Sequence, residues 1–104
     1  MGGEVSDEKL RELVNNVGCT ACVILLTIDE IICANVGDSR AVLTQNMSTF
    51  DLSDDHKPFN DDEALRILEA GGNVDDGRVN GKLSLSRAIG DLSYKKNKSL
   101  SHEK

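Results

Sequence analysis

Asp38 has the side-chain type and the position of a metal-binding carboxylate. It lies in the segment Asn35-Val-Gly-Asp-Ser-Arg40, at the expected end of a strand. A carboxylate there is well placed for Mg²⁺, a hard cation that takes oxygen ligands but also needs further carboxylates or a substrate phosphate. The same segment suits an Asx-type turn with an Asp–Arg pair. The local chemistry leaves both interpretations open.

The three cysteines carry the next candidate chemistry. Cys19 and Cys22 form a C-x-x-C pair, which in redox proteins sits at a helix N-terminus that lowers one thiol pKa. Here the pair opens a β-branched, strand-like run instead, and residues three apart in a strand point to opposite faces, which disfavours a shared metal. We interpret Cys19, Cys22 and Cys33 as small core residues, and keep a small redox β-protein as an alternative function.

Histidine chemistry depends on His56, which follows Asp54 and Asp55. A histidine beside carboxylates can act as a general base or a metal ligand. The other histidine, His102, lies in the predicted polar tail. A lone loop histidine is more often structural, and we predict that role for His56.

Arg78 and Arg87 lie in glycine-containing, irregular segments. A guanidinium group binds phosphate well through two parallel hydrogen bonds, and the alternative for each residue is a surface or strand-pairing arginine. The sequence contains no Gly-rich phosphate loop with Lys and Ser or Thr, no H-E-x-x-H and no G-x-S-x-G. Nucleophilic catalysis therefore has no support, and no catalytic side chain is predicted.

The composition limits the class of protein. The chain has 104 residues, of which 38% are hydrophobic, 29% charged and only 3% aromatic, as in one small globular domain. Its net charge of −6 disfavours nucleic acid as a partner. The longest apolar run, Val23 to Leu26, is too short to span a membrane. Three cysteines, an odd number, argue against a secreted disulfide framework, so we expect a cytoplasmic or nuclear location.

The elements that must position these residues are mostly strands in the first half of the chain. Apolar and β-branched runs separated by short polar turns are typical of an antiparallel meander, and the first run has the pattern of a strand buried on both faces. The predicted strands cover 20–28, 31–36, 40–45 and 48–52.

Two helices and a hairpin complete the prediction. The first helix covers 6–15, with Ser6 as its N-cap. The second covers 61–70, where Asn60 and Glu63 have the spacing of a capping box. The predicted short hairpin and the predicted polar tail cover 73–79 and 95–104.

Taken in order, the motifs of this chain resemble the middle of the type 2C, metal-dependent protein serine/threonine phosphatase family. The resemblance covers about 18–95, and the order and spacing of the motifs make it specific. The motifs are Gly18-Cys-Thr-Ala-Cys22, Ala34-Asn-Val-Gly-Asp-Ser-Arg-Ala-Val-Leu43, Leu52-Ser-Asp-Asp-His-Lys-Pro58, Glu63, Arg66-Ile67, Ala70-Gly-Gly72, Val74, Arg78-Val-Asn-Gly81, Leu83-Ser-Leu-Ser-Arg-Ala-Ile-Gly-Asp91 and Tyr94-Lys95.

The resemblance implies an α+β fold, a partial antiparallel β-sandwich with flanking helices. It divides the chain into a lead-in with a short helix (1–17), the central part of a catalytic domain with its flap-containing segment (18–95), and a polar tail (96–104). It also implies that the full domain hydrolyses phosphoserine and phosphothreonine in phosphoprotein substrates. In such a domain a water activated by two Mg²⁺ or Mn²⁺ ions attacks the phosphorus directly.

The family resemblance also implies roles for single residues. Asp38 matches the Gly-Asp-Ser-Arg aspartate, which lies at the edge of the metal cluster and can contribute to an additional metal. Arg78 and Arg87 fall in the flap-containing segment and become candidates for substrate or structural contacts. His56 matches the Asp-His-Lys-Pro motif rather than the family's acid histidine.

Several metal-binding blocks of the family have no counterpart among these 104 residues. They are the Glu-Asp pair, the Asp-Gly-His-Gly-Gly block, the Cys-Asp-Gly block and the final Asp-Asn pair. We therefore expect a fragment of the enzyme that is inactive by itself, and the alternative is a catalytically dead binding or regulatory module. Strands without their pairing partners would leave open edges, so we also expect self-association.

Overall fold

The structure, a computed structural model, describes residues 3–101. Residues 1–2 of the predicted lead-in and 102–104 of the predicted tail, His102 among them, lie outside the described residues. Two helices, eight strands and one 3₁₀ turn follow one another along the described chain. They are α1 Asp7–Asn16, β1 Gly18–Cys19, β2 Ala21–Leu26, β3 Ile31–Val36, β4 Val42–Gln45, β5 Ser48–Asp51, α2 Asp61–Glu69, β6 Val74–Asp75, β7 Arg78–Val79, β8 Ile89–Gly90 and the 3₁₀ turn Leu92–Tyr94.

The strands form four separate two-stranded antiparallel sheets. β2 pairs with β3, β4 with β5, β6 with β7, and β1 with the distant β8. The first three pairs are hairpins between sequence neighbours, whereas the β1–β8 pair joins the first and the last strand, with Gly18 opposite Gly90. This mixture of helices and small antiparallel sheets confirms the predicted α+β class.

The predicted continuous meander is wrong between β3 and β4, which lie in different sheets. The reason is the turn at Gly37, whose φ of +110° lies in a region that side chains disfavour. A Cβ atom at Gly37 would also overlap the side chain of Thr20. The chain therefore leaves the β2–β3 ribbon at Gly37 and starts a new hairpin at Val42.

Both predicted helices are present, but one of the two predicted caps is not. Ser6 caps α1 by accepting a hydrogen bond from Lys9 N at 3.4 Å. Asn60 makes no side-chain cap bond to α2, and its Nδ2 donates instead to Asp55 O at 2.9 Å. Glu63, the other half of the predicted capping box, turns into the protein interior. A buried charge with charged partners competes better for this side chain than one backbone N–H does.

The buried part of the described chain is small. Ile67 and Val79 are its buried hydrophobic side chains, and Pro58 and Glu63 are also buried. The prediction that the first long strand is buried on both faces is wrong for this chain, because Val23 to Leu26 are 42% to 70% exposed. The radius of gyration is 17.0 Å, against about 13 Å for a compact chain of about 100 residues. No helix in the described part of the chain combines the length and the apolar character needed to span a membrane.

The turn between β4 and β5 gives a stability prediction. Asn46 and Met47 both have positive φ, 51° and 62°, as a two-residue type I′ turn requires. Asn tolerates this conformation and Met does not, while the Met47 side chain is fully exposed. We expect Met47→Gly to stabilise the hairpin by about 0.5–1 kcal/mol, because it removes the left-handed strain.

Amide exchange across the β4–β5 ladder measures this gain, and Met47→Ala is the control because it keeps the strain. A glycine variant with no more protection than the alanine variant would contradict the prediction.

Candidate functional site

The loop after β3 and the segment before Pro58 are joined by reciprocal hydrogen bonds. Gly37 N donates to His56 Nδ1 at 3.0 Å, and His56 N donates back to Gly37 O at 2.9 Å. Asn35 Nδ2 donates to Gly37 O at 3.2 Å and to Asp54 O at 3.0 Å. His56 Nδ1 thus accepts a hydrogen bond that joins two backbone segments, which is a contact of the structural kind predicted for His56.

Asp38 lies at the tip of this loop and is paired with a lysine. Lys57 Nζ donates to Asp38 Oδ2, and the two side chains are 30% and 23% exposed. Arg40 does not pair with Asp38, as the turn alternative required, but binds Asp55 with Nε–Oδ1 and Nη2–Oδ2 distances of 3.0 and 2.8 Å. These hydrogen bonds from Arg40 lower the pKa of Asp55.

The donor set around Asp38 fits one ligand of a hard divalent cation and no more. Among residues 3–101, no group of three His, Cys, Asp or Glu side chains is arranged to hold a metal ion. A single carboxylate that already pairs with Lys57 offers few of the oxygen ligands that Mg²⁺ or Mn²⁺ needs. The assignment of Asp38 to metal binding therefore stays a prediction, and the described residues do not complete a two-metal centre.

Glu63 is the most heavily bonded side chain near this loop. It is 6% exposed. Its Oε1 accepts from Arg87 Nε and Nη2 at 3.0 and 2.8 Å, and its Oε2 accepts from Arg87 Nε at 3.1 Å and from Arg66 Nη2 at 2.9 Å. Arg66 Nη2 also donates to Ser86 O at 2.6 Å. One carboxylate of α2 thus fixes two arginines and the chain segment that carries one of them.

The surroundings of Glu63 act on its pKa in opposite directions. Burial raises the pKa, but Arg87, Ser86 and Arg66 together outweigh burial and lower it from 4.5 to about 2. The arginines act through hydrogen bonds to the carboxylate. The Ser86 hydroxyl lies close enough to lower the pKa as well, although Ser86 Oγ makes no hydrogen bond of standard geometry. Glu63 is therefore a charged residue in a buried place.

The Glu63 cluster reaches the Asp38 loop through the backbone of Ser86 and Arg87. Ser86 N donates to His56 O at 3.1 Å. A Cβ atom at Gly37 would lie 3.1 Å from Arg87 O, so the two backbones lie directly against each other. The structure thereby connects two of the predicted site residues, Asp38 and Arg87.

The other predicted residues make local contacts. Arg78 Nη1 donates to Lys82 O at 2.9 Å, four residues along its own chain segment. Arg87 donates hydrogen bonds from Nε and Nη2 to Glu63. Of the two kinds of contact predicted for Arg87, substrate or structural, this is the structural one. Whether either arginine also contacts substrate stays a prediction.

The three cysteines are free thiols in three different strands. Cys19 lies in β1 and Cys22 in β2, so the C-x-x-C pair spans two sheets. Ile24 lies two residues after Cys22 in β2 and is opposite Cys33 in β3. Because residues two apart in a strand point to the same face, Cys22 and Cys33 share one face of the β2–β3 ribbon. Burial and the neighbouring Cys22 raise the pKa of Cys33, which makes its reactive thiolate scarcer.

The sequence pattern did not reveal the role of Glu63, although it contained a signal. Glu63 and Ile67 are four residues apart and therefore share one face of α2. Because Ile67 is apolar, a carboxylate above it on the same face is a signal of a buried charge. Its partners, Arg66 and Arg87, are 3 and 24 residues away, and the distant one could not be assigned from spacing.

Comparison with known proteins places these features in a family. The family model described as Protein phosphatase 2C matches residues 4–103. The chain is 59% identical over 83 residues to "Protein phosphatase ppm-1.G" of Caenorhabditis elegans, which covers 80% of this chain and 17% of the relative. It is 57% identical over 88 residues to "Protein phosphatase 2C homolog 2" of Schizosaccharomyces pombe, which covers 84% of this chain and 24% of the relative.

A solved structure has the same fold over most of the chain. The crystal structure of a phosphatase from a pathogenic strain of Toxoplasma gondii aligns with a TM-score of 0.67 and 45% sequence identity. The alignment covers 70% of this chain and 23% of the Toxoplasma chain. The chain thus spans between 17% and 24% of the length of these two relatives and of this structure.

The low pKa of Glu63 predicts a loss of stability in acid. Because folding lowers this pKa from 4.5 to about 2, the folded chain binds fewer protons than the unfolded chain between these values. The Glu63 contribution to stability is present above about pH 4.5 and is lost as the pH falls towards about 2.

We expect Glu63→Gln to be less stable at neutral pH and to lose less stability over this acid range, as followed by circular dichroism in urea. Asp62→Asn, which removes an exposed carboxylate of the same helix, should keep the acid sensitivity of the parent. Parallel acid losses in the parent and in Glu63→Gln would contradict the assignment.

Proposed function

The chain belongs to the protein phosphatase 2C family, and we propose that it forms part of the catalytic domain of a protein serine/threonine phosphatase. The full domain would hydrolyse phosphoserine and phosphothreonine in phosphoprotein substrates. The observation that supports this most is the joined loop of Gly37 and Asp38, because it holds the family-matching carboxylate at a strand end.

The family is generally metal-dependent, and we propose Mg²⁺ or Mn²⁺ as the metal of the full domain. When bound, such ions would supply an activated water for attack on the phosphorus. The chain itself contributes Asp38, whose Oδ2 is held by Lys57. We propose that the remaining ligands come from parts of the full-length protein outside residues 3–101.

We propose the domain layout given by the resemblance, with 18–95 as the central part of the catalytic domain between the 1–17 and 96–104 segments. Arg78 and Arg87 are the proposed substrate contacts, and the cytoplasm or nucleus is the proposed location. The domain layout and the arginine contacts rest on the family resemblance, and the location rests on the cysteine pattern of the chain.

A catalytically inactive binding or regulatory module is the second candidate function. It is favoured by the Asp38–Lys57 pair, since the carboxylate already has a cationic partner. An inactive module should bind a phosphoprotein or a phosphatase with the same affinity in EDTA and in Mn²⁺, whereas a metal-dependent site should not.

The activity test uses the isolated chain and a graft. We expect no turnover of a phosphopeptide by the purified 104-residue chain in Mg²⁺ or Mn²⁺. The same segment should support turnover when it replaces the matching 83 residues of the Caenorhabditis relative, which are 59% identical. In the graft, Asp38→Ala should lower Mn²⁺-dependent turnover roughly 10- to 100-fold, as the loss of a residue at the edge of a metal site does.

Asp29→Ala is the matched control, because Asp29 is an exposed turn aspartate. Metal-dependent turnover by the isolated chain that Asp38→Ala abolishes would overturn the proposed inactivity. A graft whose activity is the same with and without Asp38 would overturn the proposed role of that residue.

Self-association is a second prediction, which follows from the open sheet edges. The β2–β3 ribbon exposes apolar side chains such as Leu26, at 70% exposure. We expect the weight-average mass in sedimentation equilibrium to rise with concentration, and Leu26→Lys to reduce this rise because a charge on an open strand blocks pairing. Val5→Lys, at 53% exposure in the lead-in, should have less effect. A monomer at high concentration would count against this.

A further inference from the structure

We propose that Glu63 is a positioning residue for the loop that carries Asp38. The inference rests on the proposed function, in which Asp38 is a metal ligand of the full domain. Glu63 would not touch metal or substrate itself. It would act through Arg87, Ser86 and His56 on the backbone of Gly37.

The first step is the fixation of Arg87 by Glu63. Three N–H···O contacts of 2.8 to 3.1 Å join the two side chains, so the guanidinium is held in one plane. Arg66 binds the second carboxylate oxygen at 2.9 Å and Ser86 O at 2.6 Å. Charge-assisted and two-pronged contacts of this kind fix geometry as well as energy.

The second step carries this fixation to the loop. Ser86 N donates to His56 O at 3.1 Å, and His56 N donates to Gly37 O at 2.9 Å. Gly37 N returns a hydrogen bond to His56 Nδ1 at 3.0 Å. Each bond in this series joins backbone groups or the ring of His56, so little flexible side chain lies between Glu63 and the loop.

The third step is direct contact between the two backbones. Gly37 has no side chain, and a Cβ atom there would lie 3.1 Å from Arg87 O. Arg87 therefore packs its carbonyl against the residue that immediately precedes Asp38. A shift of Arg87 would move the loop or remove one wall of it, and Glu63 is the group that prevents the shift.

The test compares local with global effects by amide exchange on the 104-residue chain. With Glu63→Gln, we expect exchange at the amides of Gly37, His56 and Ser86 to be roughly 10- to 100-fold faster, the change expected when hydrogen bonds to a charged group are lost. Exchange at Thr27 N, which donates to Glu30 O at 2.9 Å at the far end of the β2–β3 hairpin, should stay the same.

Two further variants guard against a simple failure to fold. Arg87→Lys keeps the positive charge and loses the planar two-pronged contact, so it should produce the same local pattern in a weaker form. Asp62→Asn makes the same charge change as Glu63→Gln on the same helix at an exposed position, and it should change none of these amides. Equal acceleration at Thr27 and at the loop amides, or no acceleration at all, would overturn the proposal.

An activity arm separates this inference from the proposed function. In the active graft, Glu63→Gln should raise the Mn²⁺ concentration for half-maximal turnover about tenfold or more, as for other residues that orient a ligand. Glu63→Asp keeps the carboxylate, so its Mn²⁺ requirement should lie between those of the parent graft and Glu63→Gln. An active graft with an unchanged Mn²⁺ requirement would overturn the positioning role. A graft without activity, combined with the local exchange pattern, would support the positioning of the loop and count against the phosphatase assignment.

Discussion

The described structure depends on one buried carboxylate, that of Glu63. A buried charge is costly unless charged hydrogen-bonding partners surround it. Arg66 and Arg87 provide these partners and come from different parts of the chain, so the cost of burial is offset only when α2 and the 86–87 segment meet. This requirement has a large effect on the stability of the fold, because the hydrophobic core of the described residues is small and consists of Ile67 and Val79. A polar cluster therefore does what a larger apolar core does in most domains.

The same cluster explains why the Asp38 loop has a defined shape in a chain with little core. Ser86 and Arg87 reach His56 and Gly37 through short backbone contacts. Lys57 then neutralises the carboxylate at the tip of the loop. Asp38 is thus held at a strand end, on a backbone that Ser86 and Arg87 contact from the other side. In the proposed phosphatase function, such a loop would supply one positioned ligand rather than a complete metal centre.

The sequence pattern predicted those elements whose signals are local. The strand 31–36 was predicted at its observed limits, and the α2 helix and the 73–79 hairpin were also predicted from local sequence. Predictions that depended on distant partners were less successful. Arg40 pairs with Asp55, 15 residues away, rather than with Asp38. Glu63 leaves its expected cap position for Arg87, 24 residues away. Partners at such separations could not be predicted from local spacing. The predicted meander breaks at Gly37, where the backbone adopts a φ of +110°. The family resemblance depended on motif order, which local physics does not encode.

The coupling between Glu63 and Arg87 tests this account most directly. It can be measured with a double-mutant cycle of Glu63→Gln and Arg87→Met, using the free energy of unfolding of the 104-residue chain in urea. If the pair organises the fold, the two losses should be non-additive by about 1.5–3 kcal/mol, since either substitution alone already removes the attraction between the two charges. Losses that add to within about 0.5 kcal/mol would contradict the account, because the two side chains would then act independently.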